Sequence, residues 1–139
     1  MARLHGKNAF IALEDSTAAS RSIQADSNTW DIDESVANPE MTAFNDNNVV
    51  RSGSGINDAK FSIAGWTNDA ANSNLAILNG IKGKIGVLTI GPGGSATSAV
   101  KYSASVVMDD YKISGKNDSI VTFQATFSLA SGSLTKTTF

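Results

Sequence analysis

The stretch IVTFQATFSL at Ile120–Leu129 alternates without a break. In an extended chain Val121, Phe123, Ala125, Phe127 and Leu129 fall on one side, and Ile120, Thr122, Gln124, Thr126 and Ser128 on the other. Period two with β-branched and aromatic residues is the mark of a half-buried strand. Phe123 and Phe127 are therefore expected in a core, with Thr122, Gln124 and Thr126 on a wet face.

The same pattern recurs in both directions. Asn57–Thr67 places Ala59, Phe61, Ile63 and Gly65 on one face, and Val100–Met108 alternates likewise, with Tyr111–Ser114 as a short segment closed by Gly115. Lys84–Ile90 is a strand that stops at Gly91-Pro92-Gly93-Gly94, read as a flexible hairpin loop, and Gly6–Glu14 is an apolar strand with Ser20–Ala25 as its return partner across Asp15-Ser16-Thr17. One helix is predicted over 69–82, capped by Asn68-Asp69, with Ala71, Leu75 and Leu78 on one face and Gly83 ending it. Trp30–Asn48 (WDIDESVANPEMTAFNDNN) reads as a loop inside a long acidic segment, 27–56. About seven or eight short strands and one helix give a single domain, 1–139, of mainly β class: a β-sandwich or partial barrel with a flanking α-helix.

Composition narrows the function. Of 139 residues only 32 are Val, Ile, Leu or Phe, whereas Ser, Thr and Asn total 41. The chain is polar without being charged, and short of core for a free-standing domain. No apolar run approaches the ~20 residues of a membrane span, and Met1–Lys7 leads into no secretion signal. With no Cys, disulfides, thiolate metal sites and cysteine nucleophiles are excluded. A net charge of -2 argues against a basic surface that grips nucleic acid. The charge is unevenly spread: Glu14–Asp58 holds nine acids against Arg21 and Arg51, whereas from Lys60 onward seven lysines face four acids. Such a split suits copies of the chain that attract one another head to tail.

The chemical motifs fail one by one. Gly91-Pro92-Gly93-Gly94-Ser95-Ala96 has the spacing of a dinucleotide loop, yet alternation rather than a helix follows, so no helix N-terminus awaits a pyrophosphate. Asp109 and Asp110 are adjacent and in a regular strand would point to opposite faces. Asp31 and Asp33 would share a face if extended, but no calcium-loop spacing follows, and they read as solvated acids. His5, the single imidazole, sits between Leu4 and Gly6, and no serine occupies a nucleophile elbow. The sequence thus assigns no catalytic, cofactor-binding or metal-binding residue. That silence points to a structural or binding role.

The order of features resembles the major tail tube proteins of long-tailed bacteriophages. Gly6–Leu13 is similar to the family's short N-terminal strand. Pro39-Glu40-Met41-Thr42-Ala43-Phe44-Asn45-Asp46, followed by Gly55-Ile56-Asn57-Asp58-Ala59-Lys60-Phe61-Ser62-Ile63-Ala64-Gly65-Trp66, resembles its acidic loop and next strand. Val121–Phe127, running on to Ser131-Gly132, resembles its closing strand. Asn45-Asp46 stands where the family pattern has Gly-Asp, and the Gly91–Ser95 loop has no counterpart.

The resemblance implies a non-enzymatic virion subunit, made in the host cytoplasm, that assembles into hexameric rings stacked as a tail tube. DNA would pass down the tube without specific binding, and the tape measure and tail terminator proteins would be further partners. Trp30, Asp31, Asp33, Glu34, Glu40, Phe44 and Asp46 are then the expected inter-ring loop residues. Thr122, Gln124 and Thr126 are the expected lumen face. One chain of about eight strands closes only a barrel filled by its own side chains, so a DNA-wide channel requires sheets shared between subunits in a ring. A lumen of Ser, Thr, Gln and Ala would release no counterions to passing phosphates. A capsid decoration or head–tail joining protein, forming a trimer or one ring, is the nearest competing reading. A carbohydrate-binding module using Trp30 as its platform and a small hydrolase follow it.

Overall fold

The computed structural model describes residues 6–51, 53, 56–71 and 73–139; His5 and Gly55 lie outside this set. β1 (Phe10–Glu14) returns antiparallel into β2 (Ser20–Ser22), as the sequence predicts. Asp15 builds the turn. Its Oδ1 accepts from the Thr17 hydroxyl at 2.6 Å and from the N–H groups of Thr17 and Ala19 at 2.9 and 3.1 Å, while Arg21 Nε donates to Oδ2 at 3.1 Å. The Thr17 hydroxyl first, then Arg21 and the backbone donors, hold this carboxyl well below the ordinary aspartate range. A depressed carboxylate contributes stability above its unfolded value of about 3.9, and that contribution is lost as pH falls through the folded value. Asp15→Asn is therefore expected to lower the melting temperature at pH 7, and the gap from the native chain should close in melts run toward pH 2.

A short 3-10 turn, Gln24–Asp26, leads into β3 (Ser27–Ala37), followed by β4 (Ile56–Trp66), α1 (Asn74–Gly80), β5 (Ile85–Gly91), β6 (Val100–Ser114) and β7 (Thr122–Thr138). All seven strands form one antiparallel sheet in the order β2-β1-β5-β6-β7-β4-β3. A flat sheet of seven strands would separate its two edges by about 29 Å. The edges, β2 and β3, are joined only by the link from Ser22 to Ser27, whose reach is about 18 Å. The sheet must therefore curl. The mainly β framework with one helix is as the sequence predicts, and of its two expected forms, sandwich or partial barrel, the single curled sheet is the second.

The concave side holds the core: Ile11, Leu13, Phe61, Ile63, Leu88, Ile90, Val106, Phe123 and Phe127, plugged by Ile77, Leu78 and Ile81 from the helix and its exit. The alternation predicted for β4 and β7 appears as cross-strand pairs Phe61↔Phe127, Ile63↔Ala125 and Gly65↔Phe123. Gly65 is required where the link crosses the sheet, because a methyl group there would run into the Asp26 carbonyl. The Gly91–Gly94 segment closes as a tight turn. Gly94 N–H bonds back to Gly91 O at 3.0 Å, and a Cβ at Gly91 would strike Gly94 O and the Phe139 ring. Phe139 in turn meets Phe10 edge-on at 5.6 Å, so the loop is clamped where the chain's end returns to β1.

Several boundaries differ from expectation. Half of the predicted Trp30–Asn48 loop is strand β3, laddered to β4 from Ser27↔Gly65 out to Ala37↔Ile56. Its acids concealed a real alternation, since Trp30 and Ile32 pack against the core while Asp31 and Asp33 face water. Tyr111–Ser114 continues β6, and β7 runs on to Thr138. Val121 and Ile120 lie outside the buried face, because the β6–β7 turn projects beyond the core. The helix starts at Asn74, not Asp69. Asn68 is consumed in a turn, its Oδ1 accepting from Ala70 N–H at 3.0 Å and its Nδ2 donating to Asp26 Oδ2 at 2.9 Å.

Candidate assembly surfaces

Four surfaces stand out, on the convex side, along the open edges and at the two ends of β4. The first is an arm. Ala37 and Ile56 are the last paired residues of the β3–β4 hairpin, and beyond them every described residue of 38–53 is exposed. This tip organises itself locally. Met41 N–H donates to Val50 O at 2.8 Å, Val50 N–H to Thr42 Oγ1 at 2.9 Å, and Ala43 N–H to Asp46 Oδ2 at 2.7 Å, while the backbones of Glu40 and Arg51 form an isolated antiparallel β-bridge. The seven residues expected in one loop are thus divided. Trp30, Asp31, Asp33 and Glu34 lie on β3, whereas Glu40, Phe44 and Asp46 lie on the tip. Trp30 is half-buried against the core, so it is not the free aromatic platform a carbohydrate-binding module wants. Phe44 is fully exposed.

The second surface is the convex face. Thr122, Gln124 and Thr126 sit together on it, opposite Trp66, Ala64 and Ser62 of β4 and Ser114, Lys112 and Asp110 of β6. Lys112 of β6 lies opposite Gln124, and β4 and β7 themselves carry only Lys60 here, with Asp58 beyond the end of their ladder. Acids flank them on both sides. Asp31 Oδ2 accepts from Ser62 Oγ at 3.1 Å, Asp33 lies across from Lys60, and Asp109 Oδ1 accepts from Ser128 Oγ at 2.8 Å. Asp109 and Asp110 do not point to opposite faces as a regular strand would require. A bulge between Met108 and Asp110 places two residues against one, which turns both carboxylates toward the convex side. Sequence spacing carries no sign of such a bulge.

The third surface comprises the open edges. β3 presents an unpaired outer edge of 11 residues. The β4–β7 ladder ends at Lys60↔Ser128, after which the strands diverge and leave a wedge of about 440 Å³ lined by Ala37, Ile56, Asp58 and Leu129. From Leu129 onward β7 is therefore laddered only to β6 among the described residues.

At the far end of β4, Trp66 and Ile120 line an open groove of about 550 Å³ beside the β6–β7 turn, with Ile113 and Val121 exposed but outside its lining. Sequence reading gave this cluster no role. Beneath it Asn74, 1% exposed, receives Asn68 N–H on Oδ1 at 3.0 Å and donates from Nδ2 to Trp66 O at 2.8 Å. Burial pushes the Tyr111 phenol up from its usual value, so it stays neutral, with Lys82 Nζ 5.2 Å from its ring. Among the described residues no three His, Asp or Glu converge as a metal site, and no helix is long and apolar enough to cross a membrane.

The curled antiparallel sheet with its helical plug and projecting hairpin arm is a fold that the chain shares over nearly its whole length with solved phage-type tail structures. The chain is similar to the tail of an empty gene transfer agent particle, refined with C6 symmetry, at TM-score 0.77 and 17% identity over 97% of this chain and 99% of that one. The virion of the native gene transfer agent particle gives TM-score 0.78 and 17% identity with the same coverage. The SPP1 tail tube gives TM-score 0.79 at 8% identity over 99% of this chain and 80% of that chain. No family model matches the sequence, and neither does any curated protein.

Proposed function

We propose that this chain is a structural subunit of a phage-type tail tube, located in the virion tail, which self-assembles into hexameric rings that stack around a DNA channel. The whole-length correspondence to tail-tube subunits carries the reading. The open edges supply a route to the ring. An 11-residue edge strand invites uncontrolled pairing, and joining it to the free side of a neighbour's β7 would remove both edges at once. Six subunits each contributing β6, β7, β4 and β3 give about 24 strands, beyond the 16–18 at which barrels hold an aqueous channel. The convex face, with Thr122, Gln124 and Thr126 at its centre, would then line the lumen. Around these neutral side chains Lys60 and Lys112 are outnumbered by Asp31, Asp33, Asp109 and Asp110, so the face offers DNA no net positive charge to grip. The subunit acts by shape and performs no catalysis; tape measure and terminator proteins would cap and fill the tube.

Negative-stain microscopy of the purified full chain tests the reading. Stacked rings or tubes with an open centre support it, whereas trimers or lone rings favour a decoration or joining protein. The lumen assignment has its own check. The double variant Gln124→Lys, Thr126→Lys is expected to assemble like the native chain, yet its tubes should retain DNA with a salt-dependent affinity that native tubes lack. Equal, negligible retention by both would place these residues outside the channel.

A further inference from the structure

We propose that Asn79-Gly80, at the end of α1, is a site of spontaneous covalent modification, where the asparagine side chain closes on the backbone and loses ammonia. Of the chain's 12 asparagines only Asn79 is followed by glycine. With no side chain on that next residue, its amide nitrogen is unshielded. The Gly80 nitrogen is the nucleophile, and the Asn79 carboxamide carbon is its target. As the N–C bond forms, the bond to Nδ2 breaks and ammonia leaves with the amide proton, so that a five-membered imide remains. Water then opens the imide at either carbonyl. One product is aspartate, and the other is isoaspartate, whose main chain runs through the former side chain.

The fold sets how fast the ring closes. Asn79 is exposed, so water and hydroxide have access to it. A helical residue holds its side chain back over the preceding turn, away from the next nitrogen, and the last turn of α1 must therefore open first. That turn is weakly held. α1 has seven residues, short of the about 12–15 below which an isolated helix is marginal, and Gly80 is a poor helix former. The bond that closes it is Ile81 N–H to Ile77 O at 3.1 Å. Opposing the opening, Ile77, Leu78 and Ile81 anchor the other face in the core. Either product then disturbs the plug. A carboxylate at position 79 lies at the carbonyl end of the helix, where the dipole disfavours negative charge. Isoaspartate also adds one main-chain atom just ahead of Ile81, which is 2% exposed.

The full chain, kept warm at mildly alkaline pH for weeks, tests this whether or not it assembles. Mass spectrometry of the Phe61–Lys82 peptide should show ammonia exchanged for water at residue 79, and an isoaspartyl methyltransferase should label the same position. Asn79→Gln should abolish both signals. The folded chain should convert about tenfold or more slowly than the same chain unfolded in urea, because only the opened turn reacts. Aged chain should melt below fresh chain, and Asn79→Asp, which adds the charge without the extra atom, should reproduce only part of that drop. Conversion in urea with none in the folded chain overturns the proposal, as does conversion centred on other asparagines. Equal rates in both states would show that α1 does not hold the turn shut, and would overturn the control assigned to the fold.

Discussion

A chain in which residues 38–55 are replaced by Asn-Gly is expected to fold, to close into rings and to stop there. Ala37 and Ile56 are direct cross-strand partners, and a two-residue Asn-Gly turn joins such a pair with the twist of the flanking strands. The body should not register the loss. Every described residue removed is exposed, none belongs to the core, and the tip's hydrogen bonds are made within itself. Surface changes of this kind move stability by no more than about 0.5 kcal/mol, and the shorter connection costs less closure entropy. Assembly is a different matter. The tip carries Phe44 and the Glu40 and Asp46 carboxylates, so its removal strips out both the apolar anchor and charges that would face the next ring. Sedimentation and microscopy should find particles of one ring's height where the native chain gives tubes. Native-length tubes from the shortened chain would remove the arm from stacking altogether.

The arm carries little strand signal in its sequence for a physical reason. Single-sequence periodicity detects a strand through its buried face, and β3 buries only Trp30 and Ile32 in part before it leaves the sheet. Beyond Ile32 both faces meet water, and the alternation dissolves into acids and small residues. β4 and β7 were legible because each packs one full face on the core, and Phe61, Ile63, Phe123 and Phe127 repeat at period two. The curl left no local trace. It follows from a short link joining two edge strands that only the whole topology identifies as edges. The bulge at Asp109 is equally silent, because inserting one residue leaves the composition of β6 unchanged. That Thr122, Gln124 and Thr126 share one face is legible from their alternation, whereas Trp66, Ile113, Ile120 and Val121 come from three separate segments that no local pattern joins. Asn68 was read as a helix cap on good local grounds, and a tertiary bond to Asp26 claimed it instead.

Asn74→Ala is expected to destabilise the subunit body about as much as truncating a core side chain would. This side chain is 1% exposed and stitches the exit of β4 to the start of α1 through two backbone groups, the Asn68 N–H and the Trp66 carbonyl. Alanine satisfies neither. Each buried group left without a partner costs about 1–3 kcal/mol, so a loss of about 2–4 kcal/mol follows. That is a large part of the roughly 7–20 kcal/mol available to a domain of this length. Asn74→Asp sharpens the argument. The carboxylate still accepts from Asn68, but it places a second acceptor against the Trp66 carbonyl and buries a charge. Both effects raise its folded value above the ordinary aspartate range, so the penalty is present at neutral pH and is relieved as pH falls through that raised value, where the protonated acid donates to Trp66 O. Urea unfolding of the arm-shortened, non-stacking chain reads this without interference from polymer. Asn74→Asp should be less stable than native at pH 7 and recover part of the difference by pH 5, whereas Asn74→Ala should show the same deficit at both. A deficit under about 0.5 kcal/mol for Asn74→Ala would mean that water reaches both backbone groups and that the β4–α1 corner is held by the packing of Ile77, Leu78 and Ile81 alone.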